Sequence, residues 1–87
     1  MCHVYILECK DGSFYTGITD NLKRRLLEHK SGKGGKFTRV FVAEKFLYSE
    51  QYPTKQDALK REVQIKGWTR KKKLALINGD LALLKRL

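Results

Sequence analysis

The sequence predicts an α+β fold in the order ββαβαα, a three-stranded antiparallel sheet flanked by helices. Three stretches, HVYILEC, SFYTGI and VFVAEKFLYSE, are rich in β-branched and aromatic residues bounded by turn formers. The segments between and after them carry apolar residues at helical spacing behind capping residues. The length, 87 residues, suffices for one core, so 1–87 reads as a single domain.

Residues 3–9 form the first strand and 13–18 the second, with Lys10-Asp11-Gly12 as the turn. The turn type decides which side chains share a face. A two-residue type I′ loop at Asp11-Gly12 pairs Leu7 with Thr16 and sends Tyr5 and Tyr15 to opposite faces. A three-residue loop pairs Leu7 with Tyr15 and Tyr5 with Gly17, with Lys10 and Asp11 in a type I turn and Gly12 in the left-handed bulge position. The second register is favoured. It sets the tyrosines on one face, about 7 Å apart, and leaves an open spot at Gly17 where a ligand enters.

A helix over 21–31 follows, capped by Thr19 or Asp20 and stopped by Gly32. Leu22 and Leu26 mark its core stripe, and Arg25 and His29 lie one turn apart on a flank, toward the sheet margin. Residues 32–39, GKGGKFTR, are a glycine-rich basic loop, and 40–50 form the third strand, with Phe41, Phe46 and Tyr48 expected in the core. Thr54 caps a helix over 55–67, with Asp57 placed as in a capping box. Its apolar arc is Ala58, Leu59, Val63 and Ile65, and Glu62 falls in the middle. A carboxylate there needs a partner, because burying an unpaired charge is costly. The partner is an arginine, a hydroxyl or a metal ion; the plain alternative is an internal salt bridge with Arg25 or Lys66. Trp68 reads as core at a helix junction, with base stacking as the alternative. TRKKKLALINGD is a third helical stretch and LALLKRL a short last one.

Lys plus Arg number 19 against 9 Asp plus Glu, a net charge of +10 with pI ≈ 9.9. Nucleic acid is the partner this favours, DNA ahead of RNA. No membrane is expected, since the basic residues are not gathered on one amphipathic helix and no run of about 18 apolar residues exists. MCHVYILECK lacks the pattern of a secretory signal, so the expected location is cytoplasmic, with Cys2 and Cys9 reduced. GKGGKFTR does not fit GxxxxGK[ST]. Lys33, Lys36 and Arg39 therefore read as phosphate-backbone contacts, against a plain solvated loop. Arg70, Lys71, Lys72 and Lys73 read as strand contacts, against a solvated helix start. Two tyrosines, an Arg/His pair and one inward glutamate suggest phosphate chemistry: arginine clamps a phosphate, a carboxylate holds a metal ion, a phenol or imidazole moves a proton.

HVY at 3–5, YTG at 15–17, Arg25, His29 and Glu62 together resemble the GIY-YIG nuclease domain, over nearly the whole chain. VYILECKDGSFYTGIT, GKGGKFTR and ALKREVQIKGWTRKKKLALI look like its small stand-alone bacterial members. The resemblance implies hydrolysis of phosphodiester bonds, in DNA or RNA, with one Mg²⁺ or Mn²⁺ ion, in DNA repair or processing. Glu62 then matches the metal-binding residue and Arg25 the contact to the scissile phosphate. Tyr5 and Tyr15 match the motif tyrosines, one of them the general base or its positioning partner, and the choice stays open. His29 matches a proton relay and Gly17 the motif glycine. All five catalytic candidates are expected on one face. His3 stands where the family motif has its first glycine, and Leu74 where many members carry a late polar residue. These departures sustain an alternative, a non-catalytic nucleic-acid-binding module of the same fold. A third reading is a protein-interaction domain in a repair complex. The chain has no room for a separate DNA-binding domain, which a protein partner would then supply.

Overall fold

A computed structural model describes residues 1–31 and 43–86. The strands are β1 (Cys2–Cys9), β2 (Phe14–Thr19) and β3 (Ala43–Tyr52). The helices are α1 (Leu22–Ser31), α2 (Lys55–Lys66), α3 (Arg70–Ile77) and α4 (Leu81–Arg86). The sheet is antiparallel throughout, as the sequence predicts, and its strand order is β2-β1-β3. The third strand runs on to Tyr52, two residues beyond its expected end.

The hairpin adopts the three-residue turn. Tyr5 faces Gly17 and Leu7 faces Tyr15. Gly12 sits at φ 84°, and its amide donates to the Cys9 carbonyl at 2.9 Å. Asp11 fixes the loop by accepting from the backbone amide and the hydroxyl of Ser13.

Alternation along β1 divides the molecule into two layers. Cys2, Val4 and Ile6 join Ala58, Ile65 and Leu76 in one core cluster, so α2 and α3 cover that face. Phe14, Ile18, Tyr48, Tyr52 and Trp68 pack around it. Tyr5, Leu7 and Cys9 point the other way and are equally buried, and α1 reaches that face through Arg25.

Three local expectations are corrected. The cap of α1 is Asn21, whose side chain accepts from the Arg24 amide, while the Thr19 hydroxyl accepts from the Asn21 amide. On α2 only Ala58 and Ile65 are buried. Val63 lies about 140° around the helix from Ala58 and is exposed, with Leu59 partly so. Phe46 is also exposed: β1 and β3 shift register beside its partner Leu7, and Leu47 packs against the core instead. Phe41 lies outside the described residues. The capping box of α2 forms as expected, with Thr54 Oγ1 accepting from the Asp57 amide and donating to its carboxylate. These burials predict that Ile65→Ala costs about 3–4 kcal/mol, whereas Val63→Ala stays within about 0.5 kcal/mol. Urea denaturation of the two variants checks both values.

Candidate nucleic-acid site at the edge of the sheet

Tyr5 and Tyr15 stand as diagonal neighbours, ring centroids 6.1 Å apart and tilted by 34°. The space opposite Tyr5 is not an open spot for a ligand. A Cβ built on Gly17 falls 2.6 Å from the Tyr5 hydroxyl, 2.8 Å from Tyr5 Cζ and 2.9 Å from Tyr15 Cε1. The missing side chain makes room for the two phenol rings, and they fill it.

Arg25 completes this cluster from α1. Its Nε donates to the Tyr5 hydroxyl at 3.2 Å, and its Nη1 reaches Glu28 at 3.4 Å. The guanidinium is about a quarter exposed. It also lines a cleft of about 820 Å³ with Ile18, Thr19, Arg24, Pro53 and Lys55. Burial pushes the Tyr5 phenol up to about 12, and Arg25 pulls only partly against it. Tyr5 is therefore a neutral hydrogen-bonding phenol at neutral pH. The sign for stability follows from linkage. A folded-state value above the unfolded value of about 10 gives stability that is complete below pH 10 and lost as pH rises through 12. About 2–3 kcal/mol is at stake. Alkaline unfolding followed by circular dichroism should shift to higher pH in Tyr5→Phe relative to its own neutral-pH stability.

Glu62 is not in this cluster. It rides on α2, which packs on the other face of the sheet, so the five candidates do not share one face. Its side chain is only 14% exposed, and Lys66 Nζ lies 3.7 Å from it, one of the two salt-bridge partners foreseen. Helical geometry gives its direction. Glu62 and Arg61 flank the Ala58–Ile65 stripe on opposite sides, and Arg61 reaches Glu50 on β3. Glu62 therefore flanks the side toward β2, the opposite edge of the sheet. α2 packs against both β1 and β2, and the helix that follows it begins with Arg70 stacked on Phe14 of β2. Arg25 and Glu62 thus belong to opposite faces of the sheet. The side chain of His29, and all of Lys33, Lys36 and Arg39, lie outside the described residues.

The basic helix start proves to be partly anchored. Arg70 stacks 4.1 Å above the Phe14 ring and donates to the Gly12 carbonyl at 2.8 Å. Lys72 sits 4.5 Å from the Trp68 ring, and Arg61 lies 5.0 Å from the same ring. Trp68 is half-buried against the core, as expected, but with cations over it. Lys71 is exposed.

Sequence reasoning missed a second polar cluster. Glu50 on β3 accepts from Arg61 at 2.9 and 3.1 Å and from the hydroxyls of Tyr48 and Tyr52. Burial pushes its carboxyl up, but Arg61 and the two phenols outweigh this and hold it below the usual range. The signal was present as Tyr48-x-Glu50-x-Tyr52, three polar-tipped residues at strand period two.

No group of three or more His, Cys, Asp or Glu among the described residues forms a cage for a metal ion. A single carboxylate suits an ion that keeps most of its waters and takes other oxygens from a phosphate, as Mg²⁺ does, rather than a zinc-type site. Glu62 offers one such carboxylate, with the Lys66 ammonium 3.7 Å away.

Two tilted tyrosines, one on the central strand and one on the edge strand, thus meet a glycine and an arginine, in a chain whose sequence places it in a nuclease superfamily. The family model described as the GIY-YIG catalytic domain matches residues 1–75, and the chain belongs to that family. It is similar to a UPF0213 protein of Staphylococcus saprophyticus, 43% identical over 76 residues, covering 87% of this chain and 93% of the relative. A UPF0213 protein of Streptococcus agalactiae is 48% identical over 75 residues, 86% of this chain and 85% of the relative. Among solved structures, the solution NMR structure of a UPF0213 protein from Bacillus halodurans matches with TM-score 0.57 and 43% identity, covering 90% of this chain and 84% of that one. These relatives are small single-domain proteins, and no helix among the described residues is long and apolar enough to cross a membrane.

Proposed function

We propose that this chain hydrolyses phosphodiester bonds in nucleic acid, with DNA favoured over RNA, using one Mg²⁺ or Mn²⁺ ion. The observation that carries this is the Tyr5–Tyr15–Arg25 cluster packed over Gly17 at the β2 edge. Arg25 offers its exposed N–H groups to the scissile phosphate, and the Tyr5 phenol holds the guanidinium in place. Buried Tyr5, with its proton held to about 12, is a donor and not a base. The half-buried Tyr15 is the phenol with access to the attacking water. Glu62 would hold the metal ion, which when bound stabilises charge on the phosphate and lowers the pKa of its water. Lys71, with the anchored Arg70 and Lys72, supplies contacts to the backbone of the strand. A role in DNA repair or processing and a cytoplasmic location complete the proposal, with a partner protein adding affinity.

The test is cleavage of single-stranded, duplex and branched DNA and RNA with Mg²⁺, Mn²⁺ or EDTA. Cleavage that requires the ion and disappears in folded Glu62→Ala is the expected result. Cleavage that persists in EDTA overturns the metal role. The binding-module reading has its own support in Leu74 and in the Glu62–Lys66 pair. It predicts salt-sensitive binding, no cleavage, and no effect of Glu62→Ala on affinity.

A further inference from the structure

Glu28 stands on α1 one turn beyond Arg24, and two arginines share its carboxylate. Oε1 lies 3.4 Å from Arg24 Nε, and Oε2 lies 3.4 Å from Arg25 Nη1. All three side chains line the cleft of about 820 Å³. The Nε of Arg25 is engaged by the Tyr5 hydroxyl, so Glu28 takes up a side of the guanidinium that Tyr5 leaves open. Both contacts are loose. A charge-assisted bond from arginine to a carboxylate is commonly about 2.7–2.9 Å long, and Asp20 holds Nη2 of the same Arg24 at 2.8 Å. Ion pairs this long between partly exposed side chains contribute little and are readily exchanged. A phosphodiester carries the same charge as a carboxylate, spread over two non-bridging oxygens. It can give one oxygen to each arginine, as Glu28 does.

We infer that Glu28 holds the place of a backbone phosphate: in the free protein its carboxylate bridges Arg24 and Arg25, and a nucleic-acid phosphate entering the cleft displaces it and bonds to both arginines. Arg24 is then a second phosphate contact beside Arg25. Glu28 is a gate that lowers affinity, because every bound strand must first break its two ion pairs and then tolerate its charge nearby. The inference rests on the nucleic-acid reading above but not on cleavage, and its test separates the two.

The experiment is a fluorescence-anisotropy titration of a labelled single-stranded DNA with the full chain. It is run in EDTA, so that metal-dependent cleavage does not intervene, and over a series of NaCl concentrations. The proteins are wild type, Glu28→Gln, Asp20→Asn and Arg24→Gln, each checked for folding by its thermal melt. Glu28→Gln should bind about 3- to 10-fold more tightly than wild type, the scale of two exposed ion pairs that binding no longer breaks. Asp20→Asn removes the same charge from the same cleft but leaves the Glu28 carboxylate between the two arginines. It should tighten binding by no more than about twofold. Arg24→Gln should weaken binding and reduce the salt slope by about 1, as the loss of one phosphate contact does. Glu28→Gln that binds as wild type does, or more weakly, overturns the inference, since the carboxylate would then support Arg25 and not compete for it. Asp20→Asn that tightens binding as much as Glu28→Gln also overturns it, because net charge alone would explain the gain. Arg24→Gln with an unchanged salt slope overturns the second phosphate contact. Wild type without salt-sensitive binding overturns the nucleic-acid reading and this inference with it.

Discussion

Arg25→Ala is expected to lose the proposed metal-dependent cleavage by at least about 100-fold in kcat, the scale of removing one preorganised donor from a developing anion. Its cost in stability is smaller, about 1–2 kcal/mol, because one hydrogen bond to the Tyr5 phenol goes and a buried hydroxyl is left with less support. The separation of these effects is the informative part. Arg25→Lys keeps the charge but loses the planar fork that can hold the Tyr5 hydroxyl with one N–H and a phosphate with others. It should recover stability without recovering the rate. Single-turnover cleavage beside urea denaturation measures both. A wild-type rate in Arg25→Ala would remove the arginine from the chemistry and leave it a structural tie between α1 and the sheet.

Gly17→Ala is expected to destabilise the fold by about 2–3 kcal/mol, at the upper end of overpacking costs. The added methyl would stand 2.6 Å from the Tyr5 hydroxyl and 2.8 Å from its ring. Tyr5 is fully buried and tied to Arg25, so the ring has nowhere easy to go. If it moves, the hydrogen bond to Arg25 moves with it, and cleavage falls along with stability. A double-mutant cycle isolates the contact. Tyr5→Leu shortens the side chain that clashes, so Gly17→Ala should cost markedly less in that background. Equal costs in both backgrounds would show that the glycine serves the backbone and not the ring.

The hairpin was legible because one residue decides it. Gly12 supplies a positive φ next to Asp11, and the register of all of β1 against β2 follows from that turn. Helix starts were legible where a hydroxyl and a carboxylate stand three apart, as at Thr54 and Asp57. The cap of α1 was misplaced because Thr19, Asp20 and Asn21 are all capable caps, and only tertiary placement selects Asn21. The glycine of the motif was recognised but its purpose was inverted. Sequence shows an absent side chain, whereas the Tyr5 ring that occupies the gap comes from the neighbouring strand and meets Tyr15 from two positions back on β2. Glu62 was read as the middle of an apolar arc, but the buried stripe is only Ala58 and Ile65 and Glu62 lies on its flank, still 14% exposed; period alone also does not say which face of the sheet its helix covers. Glu50 escaped notice because a glutamate between tyrosines in a strand reads as a solvent-facing residue until Arg61, eleven positions on, folds over it.

The clamp between Glu50 and Arg61 also bears on the order of assembly. It closes a loop of only 11 residues, whereas the pairing of Ile6 with Tyr48 joins positions 42 apart. Short closures lose less chain entropy and form faster. The unit of β3 and α2 is thus expected to form early as a local hairpin of strand and helix, held by charge, with β1 and β2 adding to it as a second preformed hairpin. Substitutions of Arg61 should then slow folding, while substitutions at the β1–β3 seam chiefly speed unfolding. The polar cluster of Glu50 and Arg61 would act less as a source of stability than as the step that commits the chain to its topology.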